Sequence, residues 1–257
     1  SSDLATLNKG IELAKGKYIA RMDADDISVP TRLEKQITLL ENNEDIGVCG
    51  SFLYVFGENI RNYIAKKPLT DIGIKSALLV QNPLGHPNVT IRKSILIKHH
   101  IRYDERFYRM EDWGLWITLM NKCKYANIPE ILLQYRYVNT SESRQNKKDD
   151  KHLKIRTELI KEYLSQNSIN YNNNTASLIA AISNKDHLKK LSNNQPREGI
   201  MILKEILPKI NILYPYTENY ILGYLLKFSR IRLYLIFLII RNFKHIKCIK
   251  SIKYAFK

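Results

Sequence analysis

The chain has 257 residues, 44% of them hydrophobic, which is enough for a real core and excludes a disordered polypeptide. Forty-one Lys and Arg against 25 Asp and Glu give a formal charge of +16, which points to an anionic partner: nucleic acid, a phosphorylated ligand or a membrane surface. Cys49, Cys123 and Cys248 lie far apart without CxxC spacing, so neither a zinc site nor a disulfide framework is indicated, and a reducing cytosolic compartment is expected.

The opening residues, SSDLATLNKG, lack the basic-then-apolar pattern of a signal peptide and do not begin with Met, so the natural N-terminus is expected to lie upstream. IELAKG reads as a helix end at Gly16, followed by a strand from Lys17 to Met22. Pro30 suits the first turn of a helix capped by Ser28, with Leu33, Ile37 and Leu40 at helical spacing. IGVCGSFLYVFG is a buried strand with which RNYIA can pair. Residues 71–80 and 93–99 read as helices with the short strand NVTIR between them, DWGLWITLMNK as a helix and ILLQYRYV as a last strand. Strands alternating with helices make this part an α/β domain.

From SESRQNKKDD onward the pattern is almost wholly helical, broken by Asn-rich stretches near 167–174 and 192–195. Leu153, Leu159, Ile160, Tyr163 and Leu164 mark one amphipathic helix, and Ile200, Leu203, Ile206 and Leu207 another. A boundary is therefore placed near 147, dividing the chain into 1–147 and a helical extension, 148–257.

Asp23, Asp25 and Asp26 follow a strand and precede a helix, where ligands of α/β sheets usually sit. Close carboxylates repel unless solvent or a cation relieves them. The cluster is either a solvated turn and helix cap or a site for a hard cation that keeps positions open for phosphate oxygens. Glu111 and Asp112 open a helix, where acids suit the helix dipole.

Taken in order, these segments resemble the family 2 glycosyltransferases, nucleotide-sugar-dependent inverting enzymes of GT-A fold. The likeness lies in LNKGIELAKGKYIARMDADDISVPTRLEKQITLLENNEDIGVCGS, in NPLGHPNVTIRKSIL, and in MEDWGLWITL, spread over residues 4–143. It implies a GT-A-like, Rossmann-like mixed sheet with flanking helices. The family's first two strands, with a nucleotide-contacting loop and an acidic turn, have no counterpart here, so a domain truncated at its N-terminus is expected.

By resemblance, Asp23 and Asp25 hold Mn²⁺ or Mg²⁺ on the donor diphosphate, and Asp26 supports them or caps the next helix. Asp112 is the base that takes the acceptor hydroxyl proton, with Glu111 supporting it. A carboxylate beside Trp113 has its pKa raised toward the working range. His86, in the constrained GHP loop, either contacts acceptor or packs the loop. Asn8 either contacts donor or holds its helix, and Arg92 meets a phosphate or a surface acid. Trp113 and Trp116 are core residues or a sugar platform.

From Asn219 to Lys257 there are nine Lys and Arg and no acid. The apolar run LYLIFLII is eight residues long, far short of the roughly 20 needed to span a bilayer, so the tail is expected at an anionic membrane surface. The implied partners are a nucleoside-diphosphate sugar, a glycan or lipid-linked acceptor and the inner face of the plasma membrane. Two other functions compete: an inactive remnant that binds membrane or partner, and a basic nucleic-acid-binding module. No nucleic-acid motif is present, and acids sit badly against phosphates without a metal. No nucleic-acid partner is expected.

Overall fold

The computed structural model describes residues 2–138, 150–182, 209, 210 and 213. The second expected amphipathic helix, the Asn-rich break at 192–195, Cys248 and the basic tail lie outside the described residues. Helix α1 (Ser2–Leu13) leads to strand β1 (Tyr18–Ala20), and β2 (Ile27–Ser28) precedes α2 (Arg32–Asn42). Then come β3 (Ile46–Gly57), β4 (Tyr63–Ala65), α3 (Asp71–Ala77), β5 (Thr90–Arg92), α4 (Lys93–Lys98), α5 (Glu111–Leu119) and β6 (Lys124–Tyr137). Helices α6 (Asp150–Gln166) and α7 (Asn173–Ile182) follow.

These strands form one mixed sheet in the order β1-β5-β3-β6-β2, with β4 also on β3. β3 is central and paired on both edges, which is why IGVCGSFLYVFG carries so little polarity. One edge of β3 is shared, β5 lying beside Val48 and Cys49 and β4 beside Leu53–Val55. Its other edge runs parallel to β6, interrupted where Ser51 pairs with Ile128 and Phe52 with Ile131. The skipped residues are Pro129 and Glu130, and proline has no N–H for the ladder.

Because β1 and β2 lie at opposite edges, the segment Arg21–Asp26 carries the chain from one side of the sheet to the other. Ser28, expected to cap α2, instead pairs with Leu133 in β2. Thr31 takes the cap position and makes no side-chain cap bond. The edge-strand pairing of Ser28 and the bond from Val29 N to Leu132 O hold this turn in place of a cap.

One apolar core runs through the domain, joining Val48, Ile91, Trp116 and Tyr125 to Leu159, Ile160, Tyr163 and Ile179 of α6 and α7. Helices α6 and α7 therefore pack into the same core as the sheet. Helix α5 is apolar almost all round and is buried accordingly. Its Gly114 is forced by close packing, since a Cβ there would stand 2.2 Å from a ring carbon of Phe107. Gly114→Val should overpack this contact by about 2–3 kcal/mol and lower Tm by roughly 5–10 °C in a thermal melt. An unchanged Tm would mean that Phe107 has room to retreat.

Candidate active site

A cleft of about 740 Å³ opens at the edge of the sheet, between the Arg21–Asp26 crossing and the N-terminus of α5. It is lined by Asp23, Asp25, Glu111 and Asp112, and by the cations Arg21, Lys67, Arg109 and Arg136. Four acids face four bases, so the cleft is close to neutral although the chain is strongly basic. Such a balance suits a ligand that carries both a phosphate charge and a counter-cation.

The crossing is shaped by what it must satisfy. Arg32, only 2% exposed, donates from Nη2 to the carbonyl of Arg21 at 2.7 Å and of Val89 at 3.4 Å, and from Nε to Gln36 Oε1 at 3.2 Å. Gln36, one helical turn on, donates to the carbonyls of Asn88 and Cys49 and accepts from Thr90 Oγ1. Burial pulls the Arg32 pKa down to about 10. Arg21 pairs with Asp23 at 2.5 Å, while its Nη1 is buried without a hydrogen-bond partner among the described residues.

Asp26 turns inward. It is 6% exposed, its Oδ1 accepts from Arg136 N at 2.8 Å, and Arg136 Nε donates to the carbonyl of Asp25 at 2.9 Å. Burial drives its carboxyl up to about 6. Asp26 thus fastens the acidic turn to β6 and does not line the cleft.

At the other wall, α5 begins after Arg109, which holds a left-handed φ of 67°. Asp112 Oδ1 accepts from Trp113 N at 2.7 Å and Oδ2 from Asn82 Nδ2 at 2.5 Å. Burial raises the Asp112 pKa against the lowering effect of these two donors, Arg21 and Lys67. Burial likewise raises that of Glu111. Lys67, whose ammonium is made more acidic by burial, donates to the carbonyl of Asn82.

His86 lines the cleft and lies 2.8 Å by Nε2 from Tyr103 Oη, with edge contacts to Tyr103 and Trp116. Burial, then the Arg21 charge, depress its pKa to about 3, so the imidazole is neutral. Three expected ligand contacts are elsewhere. Asn8 is occupied by the backbone of Tyr103, donating to its carbonyl and accepting from its N–H, which docks α1. Arg92 stacks on Tyr18 and donates to the carbonyls of Leu40, Asn43 and Ile46, closing the C-terminal end of α2. Trp113 is 4% exposed and donates from Nε1 to the carbonyl of Leu78. In all three, neighbouring backbone groups already use the donors. Sequence rules do not single out Arg21, Lys67 or Asn82: Arg21 and Asn82 lie inside the family-like segments without a role of their own, and Lys67 lies in none of them.

No group of three His, Cys, Asp or Glu able to hold a metal occurs among the described residues. The two cleft acids Asp23 and Asp25 nonetheless suit Mg²⁺ or Mn²⁺, which take one or two carboxylates and leave other positions to water and phosphate. No third protein ligand is required for that.

A sequence model described as Glycosyl transferase family 2 matches residues 4–108. That segment belongs to the family 2 glycosyltransferases. The uncharacterized glycosyltransferase MJ1057 of Methanocaldococcus jannaschii is 38% identical over 138 residues, covering 52% of this chain and 47% of its own. The amylovoran biosynthesis glycosyltransferase AmsE of Erwinia amylovora is 34% identical over 131 residues, covering 51% and 48%. The chain spans about half the length of these curated relatives. Among solved structures, S. aureus TarS 1-349 in complex with UDP-GlcNAc is similar at a TM-score of 0.50 and 12% identity, over 96% of this chain and 69% of that one. The likeness to this glycosyltransferase is one of fold, and the GT-A-like mixed sheet expected from sequence is the one observed.

The folded Asp26 carboxyl, near 6 against an ordinary 3.8, favours the protonated form. Its stabilising effect is therefore complete below about pH 4 and is lost as pH rises through about 6. Asp26→Asn keeps an acceptor for Arg136 N and carries no charge, so denaturant titrations in chelator should show wild-type stability falling relative to the variant between pH 4 and 6. Parallel curves would contradict the burial argument.

Proposed function

We propose that the cleft transfers a sugar from a nucleoside-diphosphate donor to an acceptor hydroxyl, by single displacement with inversion at the anomeric carbon. The supporting observation is that Asp23, Asp25, Glu111 and Asp112 line one cleft. The acceptor oxygen attacks the anomeric carbon, the nucleoside diphosphate departs from the opposite face, and Asp112 takes the hydroxyl proton. A carboxylate held in a half-buried pocket is a stronger base than one in water, which suits it to this step.

Asp23 and Asp25 would hold a divalent cation, Mn²⁺ or Mg²⁺, which neutralises charge on the departing diphosphate. Arg21 adds a fixed positive charge and a free buried donor, Nη1, for the same phosphates. Glu111 and neutral His86 line the acceptor side, where His86 offers a hydrogen bond without a charge. The acceptor we favour is a glycan or lipid-linked precursor of a surface polysaccharide, as the name of the amylovoran relative suggests.

In the protein as its gene encodes it, Asp112→Asn should abolish transfer while leaving donor affinity almost unchanged, because its partner is the acceptor. Glu111→Gln should cost less. Chelator, or Asp25→Asn, should cut turnover by several orders of magnitude. Assays of nucleoside diphosphate release from UDP-, GDP- and dTDP-sugars check all four. Full activity in Asp112→Asn would remove the base, and full activity in chelator would remove the metal.

The division near residue 147 and the basic tail belong to the same proposal: a GT-A domain working at the inner face of the plasma membrane. No helix among the described residues is long and apolar enough to cross a membrane. Nine cationic residues in 219–257, each worth about 1 kcal/mol near an anionic surface, would hold the enzyme there. Sedimentation with phosphatidylserine vesicles should weaken at high salt and on deletion of 219–257. Equal sedimentation without the tail would overturn the attachment.

A further inference from the structure

The proposed base does not stand alone in its pocket. Asn82 lies in the turn after α3, and its side chain is committed at both ends. Leu84 N donates to Asn82 Oδ1 at 3.2 Å, while Asn82 Nδ2 donates to Asp112 Oδ2 at 2.5 Å. A backbone N–H on the amide oxygen settles which way the amide points, because only the NH₂ end can then face a carboxylate. The Asn82 carbonyl is held in turn by Lys67 Nζ at 3.4 Å. On its other oxygen, Asp112 accepts from Trp113 N at the start of α5.

We propose that Asn82 is a positioning residue for the reaction. Its amide fixes the Asp112 carboxylate from outside helix α5, holds it as the anion, and leaves its remaining lone pairs to the acceptor hydroxyl. This inference rests on the assignment of Asp112 as base. A carboxylate on an α5 side chain can rotate about its terminal torsion, which is broad and soft. One donor from its own helix does not stop that rotation. A second donor, from a loop 30 residues earlier, does.

The charged and titratable groups around Asp112 are Glu111 on the same helix, Tyr103 after α4, Arg21 after β1 and Lys67 after β4. Glu111 opposes the anion, while Arg21 and Lys67 favour it. Asn82 is the neutral donor among them. Loss of its amide leaves burial less opposed, so Asp112 should bind its proton more tightly.

Two substitutions separate positioning from simple loop support. Asn82→Asp is isosteric and still accepts from Leu84 N, yet as a carboxylate it cannot donate to Asp112 and repels it. Asn82→Ala removes both contacts. A hydrogen bond to a charged group of ordinary strength sets the scale. In Asn82→Ala, carboxyl ¹³C NMR, assigned with Asp112→Asn, should show the Asp112 titration moving up by about 1–2 pH units, and further in Asn82→Asp. Nucleoside diphosphate release from the sugar nucleotide that wild type uses should fall by about 10- to 100-fold in kcat at pH 7. KM for the donor should hold, and activity should recover as pH is raised.

Wild-type kinetics and an unmoved titration in Asn82→Asp overturn the inference, since the side chain would then serve only Leu84. So does a lowered Tm in both variants with Asp112 titrating as before. If Asp112→Asn is itself active, the base assignment fails, whereas the NMR titration still decides whether Asn82 holds that carboxylate.

Discussion

The buried guanidinium of Arg32 is the constraint on which the site depends. A cation in the interior must have its donors satisfied, and Arg32 does so on the carbonyls of Arg21 and Val89 and on Gln36. Those carbonyls belong to the ends of β1 and β5, so helix α2 cannot dock unless both strands present them. Gln36, four residues on and on the same helix face, repeats the device with Asn88, Cys49 and Thr90. Two side chains of one helix thereby lock three strands and aim the acidic crossing over the sheet. The P-x-R-L-E-x-Q pattern of residues 30–36 is in this light a statement about buried donors.

Around that anchor the acids divide by solvation. Asp23 and Asp25 stay at the cleft, one of them paired to Arg21, whereas Asp26 is drawn inward to close on β6 through Arg136. Three neighbouring carboxylates would repel if all faced one space. Separation by one inward turn relieves this and fixes the loop at the same time. Across the cleft, Glu111 and Asp112 cannot point the same way although they are adjacent. Asp112 gains two donors, from Trp113 N and Asn82.

The fold also explains what three residues with open readings do. Arg92 was read as a phosphate or acid partner, yet its guanidinium serves three carbonyls of the α2–β3 connection at once, those of Leu40, Asn43 and Ile46. Asn8 found a backbone amide and carbonyl to close on. Trp113 had an indole N–H that had to be satisfied once the ring was buried, and the Leu78 carbonyl accepts it. In each case a donor was spent on backbone, which no spacing along the chain announces.

By itself the sequence determined the α/β alternation, the extent of β3, the helix at 150–166 and the position of both acidic pairs, one after a strand and one at a helix start. These follow from local rules: side-chain periodicity, turn residues and the preference of acids for helix N-termini. Tertiary structure alone decided the strand order, the passage of residues 21–26 from one edge to the other, and hence that Asp25 and Asp112 share a cleft although 87 positions separate them. It also decided that Asn82, to which no sequence rule gave a role, reaches Asp112. The reason is physical: pairing of distant strands and satisfaction of buried donors are set by which groups meet in space, and that depends on every other element of the core at once.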